Sequence, residues 1–465
     1  MQMVYNAIVI GGGPGGYVCA IRCAQLGLST ALVEERTLGG VCLNWGCIPT
    51  KALYAATKLV HEASTAEEMG IRFGAPDVDL GALAAWKEQT VGTLTGGVAT
   101  LLDKNGVDVF HARGQLDGPG RVVLSTGETL EGETIILATG SSPIEIPPFP
   151  FANEVIWTSD DALALREIPE HLAVIGGGVV GLELATIYRR LGSEITILEL
   201  LPEILATLDL DRRTVATLKR SLKAQGMEIL TGTRADGFSS GDGRAQLHLS
   251  DRDPLMCDRI LVAIGRHPNS GELGLETVGV ELDERGYIQV NDRLETTADG
   301  VYAIGDVVPG PMLAHKASAE GVALAESLAG EREGALVHEA GMIPQAIFTD
   351  PEIASIGLSE AAAKAAGQPI LVGRFPFAAL GKALGQRAPE GLFQIVADAN
   401  DHRILGAQII GAEASDLIAE AAMAVQQGLS LEAIADGVHA HPTLPEGLKE
   451  AAENALGRAI HAINR

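Results

Sequence analysis

The chain has 465 residues, 46% of them hydrophobic and 20% charged, which is enough for about three domains with cores of their own. Its 60 acidic residues against 34 basic ones leave a net charge of −26. That balance excludes a nucleic-acid or anionic-membrane surface and leaves room for basic protein partners. Five cysteines over this length exclude a disulfide scaffold and suit a reducing cytoplasm.

Val4 to Ile10 reads as a buried strand, with no signal-peptide pattern ahead of it. No apolar run reaches the roughly 18 residues of a membrane span. Gly11-Gly12-Gly13-Pro14-Gly15-Gly16 follows, then a helix to about Leu26, then a strand from Ser29 to Val33 ending at Glu34. This is GxGxxG on Gly11, Gly13 and Gly16 inside a βαβ unit. The glycines allow a tight turn and close approach to a pyrophosphate at the helix N-terminus, and Glu34 can accept from a ribose. Cys19 and Cys23 fall on the helix one turn apart. With Cys257, they read as packing residues.

Cys42 and Cys47 come next, in Gly39-Gly40-Val41-Cys42-Leu43-Asn44-Trp45-Gly46-Cys47-Ile48-Pro49-Thr50-Lys51. In one regular helix they would lie about 140° apart around the axis and beyond disulfide reach. If they pair, the chain must bend between them, and Asn44 and Gly46 can supply the bend. Pro49 suits a first turn, so the regular helix is expected to start near Cys47, where its N-terminus stabilises a thiolate. The residues alone leave two readings open, a redox pair or two unrelated buried thiols.

Thr134 to Ser141 contains a further strand running into Ala138-Thr139-Gly140, and Pro143, Pro147, Pro148 and Pro150 mark a linker. The first device then recurs. Ala173 to Ile175 leads into Gly176-Gly177-Gly178-Val179-Val180-Gly181, a helix to about Leu191, and a strand from Glu194 to Leu198 ending at Glu199. Positions 11, 13, 16 and 34 map to 176, 178, 181 and 199, a constant offset of 165. Two dinucleotide sites mean two cofactors, whose use together is electron transfer. Glu199 has no arginine close after it and would repel a 2′-phosphate, which favours NAD over NADP.

Ile260 to Gly265 reads as a strand of the second unit. Val301 to Asp306 is another strand and turn, followed by Met312-Leu313-Ala314-His315. From about Gly341 the character changes. Ser415 to Leu429 is an amphipathic helix with Leu417, Ile418, Ala421, Ala422 and Val425 on one face. His439, His441 and Glu446 close the pattern. A thiol-handling enzyme needs a base near neutral pH, and a carboxylate nearby can orient its ring.

The segment GGVCLNWGCIPTKAL resembles the active-site segment of the flavin disulfide reductases, that is, the class I pyridine nucleotide-disulfide oxidoreductase family, and among its branches the dihydrolipoamide dehydrogenases. Further motifs extend the resemblance over nearly the whole chain. They are the two glycine loops, the ATG strand, IGRHPN at 264–269, AIGD ending at Asp306, FTDPEIA at 348–354 and HPT…E at 441–446. The resemblance implies an α/β fold with two Rossmann-like domains, for FAD and NAD, and an α+β C-terminal dimerisation domain. The expected divisions are 1–148 for FAD, 149–270 for NAD, 271–340 returning to the FAD domain, and 341–465 for the interface.

It also implies roles. Cys42 is the exchange sulfur, Cys47 the flavin-side sulfur, His441 the base with Glu446 as its partner, and Lys51 a flavin neighbour paired with Glu183. His439 is expected behind His441. Gly11, Gly13, Gly16, Glu34, Lys51, Gly114, Thr139, Gly140, Ser141, Asp306, Met312, Leu313, Ala314 and His315 are expected at FAD. Gly176, Gly178, Gly181, Glu183, Glu199 and Gly265 are expected at NAD. No metal is expected. The implied reaction is oxidation of protein-bound dihydrolipoamide by NAD in a cytoplasmic homodimer, His441 coming from the other subunit. The implied partner is a lipoyl-bearing acyltransferase (E2) or the glycine-cleavage carrier protein. Pro445 and Leu380 depart from commoner Ser and Asn. The alternatives are another reductase of the family or a non-catalytic FAD/NAD-binding scaffold. The scaffold would not need Cys42, Cys47, His441 and Glu446 together. A mercuric reductase would carry a C-terminal cysteine pair, and no cysteine follows Cys257.

Overall fold

Two runs of apolar strands, each opening on a glycine loop, form two sheets, the first mixed and the second parallel. The computed structural model describes residues 4–464 apart from 75, 242, 337 and 338. The first sheet runs in the order Asp108–His111, Thr30–Glu34, Val4–Ile10, Thr129–Leu137, Arg121–Leu124, Gly114–Leu116. Its first four strands are parallel and the last two pairings antiparallel. Val301–Ala303 joins late in the chain, parallel to Thr129–Leu137, with Val301 opposite Ile135. The second sheet is parallel throughout, in the order Met227–Thr231, Glu194–Glu199, His171–Ile175, Arg259–Val262, Ile156–Trp157.

The strand expected to reach Gly265 stops at Val262. Gly265 takes a φ of +133°, which turns the chain into Arg266–Pro268. That strand pairs antiparallel with Ser141–Pro143 and straps the two nucleotide units together.

The last sheet is antiparallel, in the order Gln345–Ile347, Glu352–Gly357, Ile404–Gly411, Leu392–Asp398, Ile370–Pro376. The amphipathic helix forms over Ala414–Gln426 and buries Ile418, Ala421, Ala422 and Val425, with Leu417 half-buried at the edge of that face. Cys19, Cys23 and Cys257 are fully buried packing residues.

One apolar cluster joins all three units. It holds Leu53 and Tyr54 of the Cys47–Thr65 helix, Leu182 and Tyr188 of the Val179–Arg190 helix, and Ile347, Ile353 and Ile410 of the last sheet. The helix that begins at Cys47 is therefore embedded where the units meet. Among the described residues, no helix is long and apolar enough to cross a membrane.

The helix Glu446–Ala455 lies on the last sheet through glycines. A Cβ on Gly373 would sit 1.8 Å from the Ala451 carbonyl oxygen. Gly373→Ala should therefore lower stability by about 1–3 kcal/mol through overpacking. Thermal unfolding followed by circular dichroism checks this, and an unchanged Tm would refute the packing argument.

Candidate active site

The two glycine loops repeat each other in detail. Gly11 and Gly176 have φ of +108° and +114°. A Cβ on Gly11 would lie 2.2 Å from the Ala138 carbonyl oxygen, and one on Gly176 would lie 2.3 Å from that of Ala263. A Cβ on Gly16 or Gly181 would strike the carbonyl of Gly11 or Gly176 at 1.8 or 2.1 Å. The helices that follow start at Gly13 and Gly178 with no side-chain cap, so their first amides face outward from both loops.

The acids are placed alike as well. Glu34 accepts from the N–H of Gly12 and of Arg36, both at 2.6 Å. Glu199 accepts from Gly177 at 2.8 Å and Leu201 at 2.7 Å. Each carboxylate thus pins its own loop and still has lone pairs for a further donor. A cleft of about 610 Å³ opens beside the first loop, lined by Gly11, Glu34, Gly114 and Thr139 among others. The uncapped amides, the glycine cradle and the acid fit the phosphates and ribose of a dinucleotide.

Cys42 lies in a short helix, Gly40–Trp45, and Cys47 starts the next. The break between them is Gly46, with φ −143° and ψ −108°. Asn44 does not make the bend. It stays helical, and its amide donates to the carbonyls of Leu38 and Gly40. The two cysteines are free, half-buried thiols on either side of the Gly46 break. Interaction with Cys47 pushes the Cys42 thiol well above the usual range, helped by burial. The same interaction pulls Cys47 down to about 7, against burial and with help from Lys51.

Lys51, one turn past Cys47, pairs with Glu183 at 2.9 Å. Glu183 is buried on the second-unit helix and also accepts from the Phe348 N–H at 2.9 Å. The Lys51 ammonium sits 4.3 Å over the Phe348 ring. The pair expected from the sequence is present, and it reaches a third element that the sequence did not announce.

The Thr139–Ser141 turn is tied to residues far along the chain. Thr139 donates to the Asn269 carbonyl at 2.7 Å. Gly140, at φ +74°, accepts from the Asn269 N–H. Ser141 donates to Asp306 Oδ2 at 2.7 Å, and Arg266 donates to the Ser141 hydroxyl at 2.8 Å and to its carbonyl at 2.6 Å. Gly265 is the residue of this segment expected at the second cofactor. Its neighbours His267, Pro268 and Asn269 line the first cleft, while Ile264 stays against the second loop, 3.2 Å from where a Gly176 Cβ would stand. Leu313 precedes the Ala314–Leu328 helix without a side-chain cap, and His315 Nε2 donates to the Pro344 carbonyl at 2.7 Å. Met312 is in the loop before it.

His441 and Glu446 meet at the other end of the chain. His441 Nδ1 contacts Glu446 Oε1 at 2.9 Å, and the Thr443 N–H donates to Oε2 at 2.7 Å. Burial raises the Glu446 carboxyl, but the Thr443 and His441 bonds outweigh it and hold it below the usual range. Pro445 stands at the cap of the helix that Glu446 begins. His439 turns away to Glu420, at 3.0 Å, with its ring largely covered. The His441 ring is 79% exposed, and among the described residues its Nε2 makes no hydrogen bond. Nor, among them, does any hydrogen bond or ion pair join His441 or Glu446 to Cys42, Cys47, Lys51 or Glu183.

A polarised thiol pair at a helix N-terminus, set between two dinucleotide loops, defines a pyridine-nucleotide-linked disulfide oxidoreductase. The family model described as pyridine nucleotide-disulphide oxidoreductase matches residues 5–321, and its dimerisation domain matches 343–452. A dihydrolipoyl dehydrogenase of Thermus scotoductus is 47% identical, with 99% of each chain covered. One of Haloferax volcanii is 44% identical, with 98% of each covered. Among solved structures, LpdA from Mycobacterium tuberculosis superposes with a TM-score of 0.89 at 26% identity, over 96% of this chain and 99% of that one. The flavoprotein disulfide reductase RclA from Escherichia coli does so with 0.87 at 27%, over 97% and 99%. The chain belongs to the pyridine nucleotide-disulphide oxidoreductases and, within them, to the dihydrolipoyl dehydrogenases. It is an NAD-dependent flavoprotein enzyme with FAD and NAD as cofactors.

The charges around Cys47 make opposite demands. Lys51→Met should raise the Cys47 pKa by about a unit or more, because it removes a nearby cation. Glu183→Gln should lower it, because a nearby anion goes. The pH dependence of Cys47 alkylation, in a Cys42→Ser background, reads both. Shifts of the same sign in the two variants would refute this electrostatic account.

Proposed function

We propose that the chain oxidises the dithiol of protein-bound dihydrolipoamide with NAD, through a Cys42–Cys47 disulfide. The observation that carries this reading is geometric: Cys42 and Cys47 stand on either side of the Gly46 break, with Cys47 at a helix N-terminus and Lys51 one turn further on.

His441 Nε2 takes a proton from one substrate thiol. The thiolate attacks Cys42 Sγ, the S–S bond breaks, and Cys47 leaves as thiolate. A sulfur of low pKa leaves more readily, so the polarity of the pair directs attack to Cys42. The second substrate thiol attacks the substrate sulfur of the mixed disulfide, Cys42 departs and takes the proton held on His441, and His441 accepts the proton of the second thiol in its place. The substrate is now a disulfide, and both of its electrons lie on the cysteines. Glu446 holds the imidazole by Nδ1 and stabilises imidazolium, leaving Nε2 to work. FAD, when bound, supplies the two-electron relay from the Cys47 side to NAD.

In this reading the Gly11 loop, Glu34, Gly114 and Asp306 hold FAD. The Gly176 loop and Glu199 hold NAD and repel a 2′-phosphate. The divisions are 1–148, 149–270, 271–340 and 341–465. The enzyme is a cytoplasmic homodimer serving a lipoyl-bearing acyltransferase (E2) or the glycine-cleavage carrier. The bare Nε2 of His441 supports completion of each site by the other subunit.

His441→Gln should cut lipoamide turnover by at least about 10²-fold, Glu446→Gln by less, and His439→Gln least. Steady-state assay of the three variants checks the order, and a crippled His439→Gln beside a normal His441→Gln would overturn it. Subunit mixing tests the shared site. His441→Gln and Cys42→Ser chains, each inactive alone, should recover about a quarter of wild-type activity when unfolded and refolded together in equal amounts. No recovery would place the base and the thiols in one chain.

A further inference from the structure

The Ala314–Leu328 helix carries a buried ion pair that the mechanism above does not use. Lys316 Nζ and Glu320 Oε1 are 3.1 Å apart, one turn from each other, with 4% and 1% of their side chains exposed. An ordinary i,i+4 pair of this kind lies on a solvated surface, where it contributes little. Burying both charges carries a large desolvation cost, which is offset only when further hydrogen bonds engage them.

Those further bonds converge on one residue. Lys316 Nζ donates to the Gly305 carbonyl at 2.9 Å, and Glu320 Oε2 accepts from the Gly305 N–H at 2.8 Å. The pair therefore grips Gly305 by both of its backbone polar groups. Gly305 has a φ of +78° and opens the single turn Gly305–Val307 that carries Asp306. The Asp306 side chain is held separately, by the Ser141 hydroxyl.

We propose that Lys316 and Glu320 are positioning residues that clamp the Gly305 turn so that Asp306 is aimed at FAD. The proposal rests on the reading of Asp306 as an FAD ligand. The clamp is neutral as a pair, so it fixes the turn without adding net charge beside the Asp306 carboxylate. Packing alone would not require both partners to bond the same residue. Gly305 needs fixing because glycine is the residue least restricted by its own sterics.

The test measures FAD affinity by flavin fluorescence on serial dilution of the holoenzyme. Asp306→Ala should weaken FAD by about tenfold or more, as loss of a charge-assisted hydrogen bond does. Lys316→Met/Glu320→Leu removes both charges together and should weaken FAD to a similar degree. Added to Asp306→Ala, it should weaken FAD no further, because the clamp acts through Asp306. A merely structural pair would give additive losses, and that outcome overturns the proposal. Wild-type affinity in the double variant also overturns it. Unchanged affinity in Asp306→Ala sinks the reading of Asp306, and the proposal with it. Loss in Asp306→Ala without loss in the double variant sinks the clamp alone. If the double variant does not fold, Gly305→Ala decides. It keeps both charges and strains the same turn, so it should weaken FAD and add nothing to Asp306→Ala, and wild-type binding by Gly305→Ala overturns the clamp.

Discussion

Glu183 is a buried carboxylate, and its need for partners organises the molecule. It meets that need with the Lys51 ammonium from the helix that begins at Cys47 and with the Phe348 amide from the start of the last unit. Removing either donor would leave an anion undersatisfied in the common core of Leu53, Leu182 and Ile347. The ion pair thus does two things at once. It fixes the angle between three units, and it sets a cation one turn from Cys47. Interaction with Cys42 is the larger influence on Cys47, and Lys51 and Glu183 act on it in opposite directions.

Local chemistry was the legible part of the sequence. The glycine loops, their acids, the helix beginning at Cys47 and the amphipathic helix at 414–426 depend on residues near one another in the chain. The 165-residue repeat carries through to individual bonds, Gly12 to Glu34 and Gly177 to Glu199. What the repeat does not announce is where the carboxylates point. Each turns back to its own loop amides before any ligand is considered. A short acid at a strand end can do that or face outward, and spacing does not distinguish the two.

The illegible part is long-range. Arg266, Ser141 and Asp306 form one chain of hydrogen bonds across three separate segments, and periodicity carries no signal for such a meeting. Asn44 and Gly46 were equal candidates for the bend between the cysteines. The backbone resolves it at Gly46, because Asn44 has two carbonyls within reach that reward a helical position. Sequence spacing alone does not distinguish Lys316 and Glu320 from a solvated i,i+4 pair. Only the packing of their helix against the Pro14–Gln25 helix, where a Gly321 Cβ would come within 2.6 Å of the Gly15 carbonyl, shows that they are interior.

The machinery divides by what it moves. The thiol pair and the two glycine loops lie between residues 11 and 199, around the half-buried Lys51 and the buried Glu183. The group suited to protons, His441 with Glu446, stands on the surface of the unit matched by the family's dimerisation domain. Burial of the thiol pair is partial and opposes the Cys47 thiolate, which Lys51 and the helix N-terminus favour. The base has a requirement of its own, since an imidazole that must take and release protons near neutral pH cannot be buried without losing its charged form. An exposed ring has no fixed orientation of its own, and the Glu446 carboxylate, held by the Thr443 amide, supplies one. That brace engages Nδ1 and leaves Nε2 on an exposed ring. In the reading proposed above, association of two chains does more than add buried area, because it brings an exposed base to a half-buried thiol pair.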